Sequence, residues 1–166
     1  KSGYGLDKET EIKQLEVMKA INEDPMRKVD IATTFLGAHA VPTEYKGRED
    51  EYIDFLIEEM LPLIQEKGLA EHCDIFCEKG VFTVEQSRRL LQAAKDKGFG
   101  VKIHADEIVS FGGAELAGEL QALSADHLLH ASDAGIQAMA ENHVVATLLP
   151  LTAFTLREPY ARGREM

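Results

Sequence analysis

The stretch Val101-Lys-Ile-His104-Ala-Asp-Glu107-Ile-Val decides how the rest of the sequence is interpreted, because it places an imidazole and two carboxylates within four positions. Buried β-strands are short apolar runs, so His104 is predicted near the carboxyl end of a strand and Glu107 just beyond it. That end of the strands carries the chemistry of many α/β proteins. An imidazole is the commonest ligand of a catalytic metal, and a nearby carboxylate can accept a proton from metal-bound water. The spacing leaves Asp106 and Glu107 equally suited to that role, and a solvated loop with a helix-capping acid is the alternative.

Segments typical of strands and of helices alternate along the whole chain. Besides the His104 segment, five stretches are predicted to be strands or the end of one, namely residues 2–5, 29–35, 73–78, 124–129 and 143–149. The helices between them are predicted to begin after Asp7, near Tyr52, after Thr83, after Gly113 and after Ser132 or Asp133. Pro62 is expected to bend or break the second helix. This alternation, at intervals of roughly 20 to 40 residues, predicts parallel strands joined by right-handed helical crossovers.

Six such strands with five helices fit either an open, doubly wound sheet or most of a (β/α)8 barrel. No Gly-x-Gly-x-x-Gly motif follows any of the strands, and Gly112-Gly113 is too short to cradle a nucleotide. Polar side chains instead recur at the ends of successive strands, where a barrel gathers them around one mouth and an open sheet spreads them along an edge. They are Tyr4, His39, Glu78, His104 with Glu107, and His127. We therefore predict an α/β fold, a (β/α)8 TIM barrel, of which residues 1–166 form part of one domain.

Each of these polar residues has an ordinary structural explanation when it is taken alone. A single histidine such as His39 or His127 is more often a hydrogen-bonded structural residue than a ligand. Glu78 with Lys79 is typical of an ion pair at a rim, which contributes little stability. Tyr4 could pack against a neighbour, although its flanking glycines predict an exposed ring. Three imidazoles at the ends of three separate strands, however, favour a functional site.

The composition restricts the class of partner and the compartment. With 29 acidic and 18 basic side chains, the net charge of −11 disfavours binding to nucleic acid or to anionic membranes. No stretch approaches the ~20 apolar residues of a membrane span. Cys73 and Cys77 stand too far apart on one extended strand for a disulfide, so two buried thiols are expected. These features predict a cytoplasmic protein of ordinary globular composition.

Seven motifs, taken together, resemble those of the imidazolonepropionase family of the amidohydrolase superfamily. They are Lys1-Ser-Gly-Tyr-Gly5, Thr34-Phe-Leu-Gly-Ala-His-Ala-Val-Pro42, Cys73-Asp-Ile-Phe-Cys-Glu-Lys-Gly-Val-Phe82, Glu85-Gln-Ser-Arg-Arg89, Lys102-Ile-His-Ala-Asp-Glu107, Gly112-Gly-Ala-Glu-Leu116 and Ser124-Ala-Asp-His-Leu128. The motifs cover nearly the whole chain in order. As a set they are therefore far more specific than any one of them.

The resemblance implies a metal-dependent hydrolase that uses one divalent ion, zinc or iron, with His104 as a metal ligand. It implies that Glu107 is the acid/base and also meets the substrate's ring, and that His127 orients the attacking water or the ring carbonyl. Tyr4 and His39 would contact the imidazolone or its propionate tail. The implied reaction is hydrolysis of the cyclic amide C–N bond of 4-imidazolone-5-propanoate to N-formimidoyl-L-glutamate, in histidine catabolism. A homodimer with a small-molecule substrate is also implied.

The sequence departs from the family's pattern in its metal ligands. The His-x-His pair of the first strand, the arginine after it and the aspartate of the eighth strand are absent, and Leu151 stands where the family usually has glycine. We therefore expect the chain to be the central section of the enzyme, with strands two to seven of the barrel, and to be inactive by itself. The alternatives are a related amidohydrolase that deaminates a purine, pyrimidine or guanine-like ring, and a fragment without catalytic function.

Overall fold

A sheet of five parallel strands forms the centre of the molecule, in a computed structural model that describes residues 1–166. The strands are β1 (Thr34–Ala38), β2 (His72–Cys77), β3 (Gly100–Ala105), β4 (Ser124–His127) and β5 (Val145–Thr147). Each strand pairs with the next one along the chain, so the spatial order is β1-β2-β3-β4-β5. A barrel has this sequential order, whereas a doubly wound sheet reverses its strand order at a switch point. The arrangement confirms the predicted α/β class and excludes the doubly wound sheet.

Seven α-helices connect and flank the strands. They are α1 (Lys8–Glu23), α2 (Glu49–Phe55), α3 (Leu61–Lys67), α4 (Val84–Asp96), α5 (Gly113–Glu119), α6 (Asp133–Glu141) and α7 (Pro150–Leu156). The Asp7 carboxylate accepts a hydrogen bond from a backbone amide at the start of α1. Helix α4 begins after Thr83, as predicted, and Thr83 forms a capping box with Gln86. Ser132, rather than Asp133, caps α6.

A π-helical turn, Leu56–Met60, joins α2 to α3 and accommodates Pro62. Proline lacks an amide hydrogen, and its ring crowds the carbonyl group four residues before it, here that of Glu58. The Leu61 amide donates to the Leu56 carbonyl, which is a wider spacing than the α-helical one. The predicted break at Pro62 is therefore one wide turn within a continuous helical segment.

The first residues of the chain form no strand, so the prediction that residues 2–5 are the end of a strand is wrong. The Ser2 amide donates to the Thr34 carbonyl and the Ser2 hydroxyl accepts from the Leu36 amide, both at 3.0 Å. The segment thus lies beside β1 without a regular ladder, because Gly3 takes a φ of +119° that turns the backbone. The sheet consequently has five strands instead of the predicted six.

Helices α5 and α7 are short. Helix α5 ends at Glu119, which leaves Leu123 outside the helix and 50% exposed. Helix α7 was not predicted, because its first turn contains Pro150 and only seven residues follow the helical pattern. A proline in the first turn is well tolerated, since the amide that it lacks has no partner within the helix.

The core lies between the sheet and the helices, in one cluster of 32 buried residues. Phe35 of β1, Ile75 of β2 and Leu91 of α4 are among its fully buried side chains. Cys73 and Cys77 are free and buried, as predicted. None of the helices combines the length and the apolar character that a membrane crossing requires.

Side chains of β3 alternate between the two faces of the sheet and thereby position the site. Val101 and Ile103 belong to the core, whereas Lys102 and His104 are only partly buried on the opposite face. In a barrel, that opposite face is the interior. The alternation therefore places His104 on the interior face, near the carboxyl end of its strand.

Candidate active site

The five residues predicted to form the site lie together at the carboxyl end of the sheet. The ring centroids of His104 and His127 are 5.2 Å apart, and those of His39 and His104 are 6.1 Å apart. Tyr4 meets His39 edge to face, with 4.7 Å between the ring centroids. Glu107 Oε1 lies 3.3 Å from His127 Nδ1. The structure thus brings all five side chains into one region.

His104 is held by an acidic residue of the neighbouring strand. Its Nδ1 atom lies 3.1 Å from Oδ1 of Asp74, a fully buried residue of β2. Of the two ring nitrogens of His104, Nδ1 is the one that makes a hydrogen bond within the protein. A histidine that donates from Nδ1 to a carboxylate presents a lone pair on Nε2, which is the usual arrangement of a metal-bound imidazole.

Lys1 compensates for the charge of the acidic residues beside His104. Its ammonium lies 2.9 Å from Asp74 Oδ2 and also contacts Asp126 Oδ2 of β4. Burial by itself raises the pKa of Asp74, but the charges and hydrogen bonds of His104 and Lys1 outweigh burial and hold that pKa below its ordinary value. The two carboxylates likewise outweigh the burial of the Lys1 ammonium and raise its pKa. Asp74 is therefore a buried carboxylate with a compensated charge.

Asp74, His104 and Asp126 form a group that could hold a metal ion. Their donor atoms lie within 4.8 Å of one another, and the strand register pairs His104 directly with Asp126. Imidazole and carboxylate groups are suitable donors for a divalent ion. Because the Lys1 ammonium already contacts both carboxylates, His104 Nε2 is the donor atom that remains free. The residues present thus fit a metal ion at His104, to which they would supply one imidazole ligand.

Glu107 and His127 are the titratable pair of the site. Burial raises the pKa of the Glu107 carboxyl above its ordinary value; His104 opposes this effect and Glu78 adds to it. Burial, with a smaller contribution from His104, lowers the pKa of the His127 imidazole to about 4. Although His127 Nδ1 is 3.3 Å from Glu107 Oε1, the two atoms are not aligned as a hydrogen bond, and Nδ1 is buried without a partner. A neutral imidazole beside such a carboxyl group suits proton transfer near neutral pH.

The backbone is strained where His127 leaves its strand. His127 has a φ of +77° and Leu128 has a φ of +59°, so two successive residues with side chains adopt the left-handed region. The Leu128 amide donates to the Ala105 carbonyl at 3.0 Å, which holds this turn against the end of β3. Such conformations cost on the order of 1–3 kcal/mol each and cluster at functional sites. The strain therefore supports a functional role for this corner.

Asp106 is a capping residue, which decides between the two carboxylates that the spacing left open. Its oxygens accept hydrogen bonds from four successive amides, those of residues 111–114, at the start of α5. Asp106 is fully buried, and its φ of +51° turns the chain out of β3. The helix N-terminus occupies both of its carboxylate oxygens, so Glu107 is the acid that faces the imidazoles.

Glu78 is buried and bound to backbone amides, so the predicted ion pair at a rim is wrong. Its Oε1 atom accepts from the Lys79 amide and its Oε2 atom accepts from the Ile108 amide, both at 2.8 Å. The contact to Lys79 is thus to the backbone and not to the ammonium. Because Ile108 follows Glu107 directly, the second bond ties the loop that carries Glu107 to the end of β2.

Glu11 of α1 holds the turn that carries Tyr4. This buried carboxylate accepts hydrogen bonds from the Gly3 amide at 3.0 Å and from the Gly5 amide at 2.8 Å. The Gly3 carbonyl lies 3.2 Å from His39 Nδ1, so the same turn orients that imidazole. Tyr4 itself is 82% exposed, as its flanking glycines predicted.

A cavity of about 510 Å³ opens beside the site, lined by His39, Phe76, Lys46 and Glu49 among others. Phe76 also meets the His104 ring edge to face, at 6.1 Å between centroids. The volume lies within the range of about 300–1,000 Å³ that is typical of small-molecule pockets. Of the five predicted site residues, His39 lines this cavity, so a small molecule bound there would contact His39 and Phe76.

Lys1, Asp74, Glu11 and Asp126 were not predicted to be site residues from the sequence. The signal available for Asp74 was its position in an apolar strand, because aspartate is depleted from strands and costly to bury without a partner. No local pattern points to Lys1, since 125 positions separate it from Asp126. Only the folded chain shows that these groups meet.

Two solved structures share the fold. A Xaa-Pro dipeptidase with methionine bound in its active site matches 87% of this chain and 40% of that chain, with a TM-score of 0.53 and 16% identity. Phenylurea hydrolase B matches 89% of this chain and 41% of that chain, with a TM-score of 0.50 and 11% identity. At such identities the likeness concerns the fold alone. It confirms the predicted α/β fold, a TIM barrel that is present here in part.

Curated relatives match all 166 residues, although no protein-family model matches the chain. The imidazolonepropionases of Phocaeicola vulgatus, Bacteroides thetaiotaomicron and Clostridium tetani are 80%, 75% and 63% identical to the chain. The chain spans 40%, 40% and 39% of these three relatives. The identity reaches 80% over the whole length of the chain, so all 166 residues correspond to part of proteins named imidazolonepropionase.

Proposed function

We propose that the protein containing this chain hydrolyses the cyclic amide C–N bond of 4-imidazolone-5-propanoate and releases N-formimidoyl-L-glutamate, in histidine catabolism. Since the chain spans about 40% of the relatives that carry the corresponding name, the proposal concerns a longer polypeptide. Residues 1–166 would be the central section of its TIM-barrel domain. The observation that carries the proposal is the convergence of His104, Glu107 and His127 at the carboxyl end of parallel strands.

One divalent ion, zinc or iron, would be held in part by His104 Nε2. When bound, such an ion makes a hydroxide nucleophile available at neutral pH and polarises a carbonyl group. The chain contributes one imidazole, and its two acidic neighbours are engaged by Lys1. The remaining ligands would therefore come from other parts of the polypeptide, because a catalytic site of this kind needs about three protein ligands.

Glu107 would act as the acid/base of the reaction. It would accept a proton from the attacking water and return that proton to the departing ring nitrogen. Its raised pKa supports this role, because a carboxyl group can both take and release a proton efficiently when its pKa approaches the working pH. The bond from Glu78 to the Ile108 amide would hold the Glu107 loop in place during the transfer.

His127 would orient the attacking water or the ring carbonyl. With a pKa of about 4 it is neutral at physiological pH, so it can donate one hydrogen bond without introducing a positive charge beside a metal ion. Tyr4 and His39 would contact the imidazolone ring or its propionate tail from the side of the cavity. Their edge-to-face arrangement, together with Phe76, offers aromatic surface to a planar ring.

The compartment and the assembly of the intact protein are part of the proposal. Two free, buried thiols and the absence of any disulfide between them agree with a reducing compartment, and we propose the cytoplasm. We also propose the homodimer that the family resemblance implies. The net charge of −11 agrees with a small-molecule substrate and not with nucleic acid as partner.

The test is an assay of the full-length protein, loaded with zinc or with iron, on imidazolone propionate and on a panel of purine and pyrimidine ring amines. We expect turnover of imidazolone propionate alone. Glu107→Gln should lower kcat by about 10²- to 10⁴-fold, the usual contribution of a general acid/base. Glu141→Gln, an exposed residue of α6, is the matched control and should leave kcat unchanged. Deamination of the ring amines would identify a different amidohydrolase, and no turnover of any of these compounds would refute the proposal.

A further inference from the structure

We propose that Asp74, with Lys1 as its counter-ion, is a positioning residue that holds the His104 imidazole in the tautomer with Nε2 unprotonated. This tautomer leaves Nε2 free to bind a metal ion. The presence of a metal ion rests on the proposed function, whereas the assignment of the tautomer does not.

The contact between Asp74 and His104 decides which ring nitrogen of His104 carries the proton. Asp74 Oδ1 lies 3.1 Å from His104 Nδ1, and it also accepts from the Ile75 amide at 2.8 Å, so the carboxylate cannot rotate away freely. An ionised carboxylate is an acceptor only. The ring nitrogen that faces it must therefore carry the proton, which assigns the hydrogen to Nδ1 and the lone pair to Nε2.

Lys1 keeps Asp74 ionised, because a buried carboxylate needs a charged partner. Asp74 is fully buried, and the Lys1 ammonium lies 2.9 Å from its Oδ2 atom. The same ammonium contacts Asp126, so one cation serves two carboxylates on neighbouring sides of His104. With that compensation Asp74 stays ionised and remains an acceptor for His104.

The position of Lys1 also explains why Asp74 acts on His104 and not as a ligand itself. The donor atoms of Asp74, His104 and Asp126 are within 4.8 Å of one another, close enough for a single ion to touch all three. The ammonium of Lys1 occupies the space between the two carboxylates, where such an ion would have to lie. His104 Nε2 is left as the atom that can reach a metal ion held elsewhere in the site.

The tautomer is tested by nuclear magnetic resonance on the full-length, metal-free protein labelled with nitrogen-15 in histidine. At about pH 8.5, where an ordinary histidine is neutral, the two ring nitrogens report directly which of them carries the proton. We expect His104 to be protonated on Nδ1. Its signals are assigned by their loss in His104→Gln. A wild-type His104 that is protonated on Nε2 would overturn the proposal, and this result requires no folded variant of Asp74.

The variants separate positioning from mere proximity. Asp74→Ala should give a mixture of His104 tautomers and weaken zinc binding by about 10- to 100-fold, the usual effect of removing such a partner. Asp74→Asn keeps an acceptor oxygen and should restore part of both. Asp126→Ala removes the other partner of Lys1, has no bond to His104, and should leave the tautomer unchanged.

Three outcomes decide the proposal. A changed tautomer together with weaker zinc binding in Asp74→Ala supports it. Weaker zinc binding with an unchanged tautomer would make Asp74 a direct ligand and overturn the positioning role, as would an Asp74→Ala protein that matches wild type in both measurements. Should the protein bind zinc as expected and yet not turn over imidazolone propionate, the proposed function fails while the role of Asp74 stands.

Discussion

His127 is the residue in which burial, electrostatics and backbone strain coincide. The residue is 7% exposed, its Nδ1 atom has no aligned partner, and its φ of +77° is rare for a residue with a side chain. A protein keeps such a combination only where the surrounding structure enforces it. Here the turn is enforced by the bond from the Leu128 amide to the end of β3.

The lowered pKa of His127 predicts a loss of stability in mild acid. The unfolded chain binds a proton at His127 near pH 6.5, whereas the folded, metal-free chain binds it only near pH 4, so the unfolded state holds more protons between these values. Stability therefore falls as the pH falls through this window and is unaffected above it. The expected contribution is on the order of 1–3 kcal/mol.

Urea unfolding of the metal-free chain at pH 7 and at pH 4.5 measures this effect. His127→Asn removes the titrating group and tolerates the left-handed backbone, so the difference in unfolding free energy between the two pH values should shrink. The charged groups that face His127, namely Glu107, His104, Asp126, Lys1 and Asp74, are the same in both proteins. An equal pH dependence in wild type and variant would contradict the prediction.

Glu11 supports a second residue-scale prediction, because its buried carboxylate serves the amides of Gly3 and Gly5. In Glu11→Gln the amide oxygen can replace Oε1, but the NH2 group then replaces Oε2 and faces the Gly3 amide, so that two buried donors oppose each other. We expect a loss of about 1–3 kcal/mol in the free energy of unfolding, measured with urea. Glu9→Gln, exposed in the same turn of α1, should change that free energy by less than about 0.5 kcal/mol. Equal effects of the two substitutions would show that Glu11 has no special role.

At the scale of elements, helices α5 and α6 approach each other closely because glycines lie at their contact. A methyl group at Gly118 of α5 would stand 2.7 Å from the backbone of Ala138 in α6, and one at Gly135 of α6 would stand 2.7 Å from the Ala114 side chain. Real contacts of this kind are essentially never so short. The close approach matters for the site, since α5 begins at the cap formed by Asp106, next to Glu107.

Gly118→Ala is therefore expected to destabilise the protein although alanine has the higher helix propensity. Propensity alone would add about 1 kcal/mol of stability, but pushing α5 from α6 costs about 1–3 kcal/mol or more, as in an overpacked core. Thermal and urea unfolding measure the net loss. Gly100→Ala is the matched control: its methyl group meets only the side chains of Leu123 and His72, which can move. Stabilisation by Gly118→Ala would show that the helices separate without cost.

At the scale of the whole molecule, the sheet ends at two edges, β1 and β5. Residues 2–5 run beside β1, whereas β5 has no strand on its outer side and leaves Val145 61% exposed. An unpaired edge with exposed apolar side chains is a template for pairing with another chain. The molecule as described therefore has one edge on which a further strand can add.

The 166-residue chain is expected to self-associate through β5. Val145→Lys places a charge on this edge and should shift the sedimentation coefficient toward that of a monomer. Val17→Lys, at a residue of α1 that is 51% exposed, adds the same charge away from the sheet and should leave the association unchanged. A wild-type chain that sediments as a monomer at all concentrations would contradict the prediction.

The local features of the fold and the predicted site followed from the sequence, because the interactions behind them join residues a few positions apart. The capping box of Thr83 and Gln86 spans three positions, and the alternation that places His104 on the interior face spans two. Polar residues at the ends of parallel strands converge for a geometrical reason that needs no knowledge of packing. The sequence therefore predicted that five side chains lie close together, those of Tyr4, His39, His104, Glu107 and His127.

Only the tertiary structure decided which groups hold these residues and which carboxylate faces them. Asp106 and Glu107 are adjacent in the chain, and the difference between them arises because the N-terminus of α5 packs against Asp106. Lys1 and Asp126 are 125 positions apart, yet together with Asp74 they set the environment of His104. Such contacts form because distant strands bring their interior faces together. Burial and charge pairing between residues far apart in the chain stabilise these contacts, and neither produces a periodic pattern in the sequence.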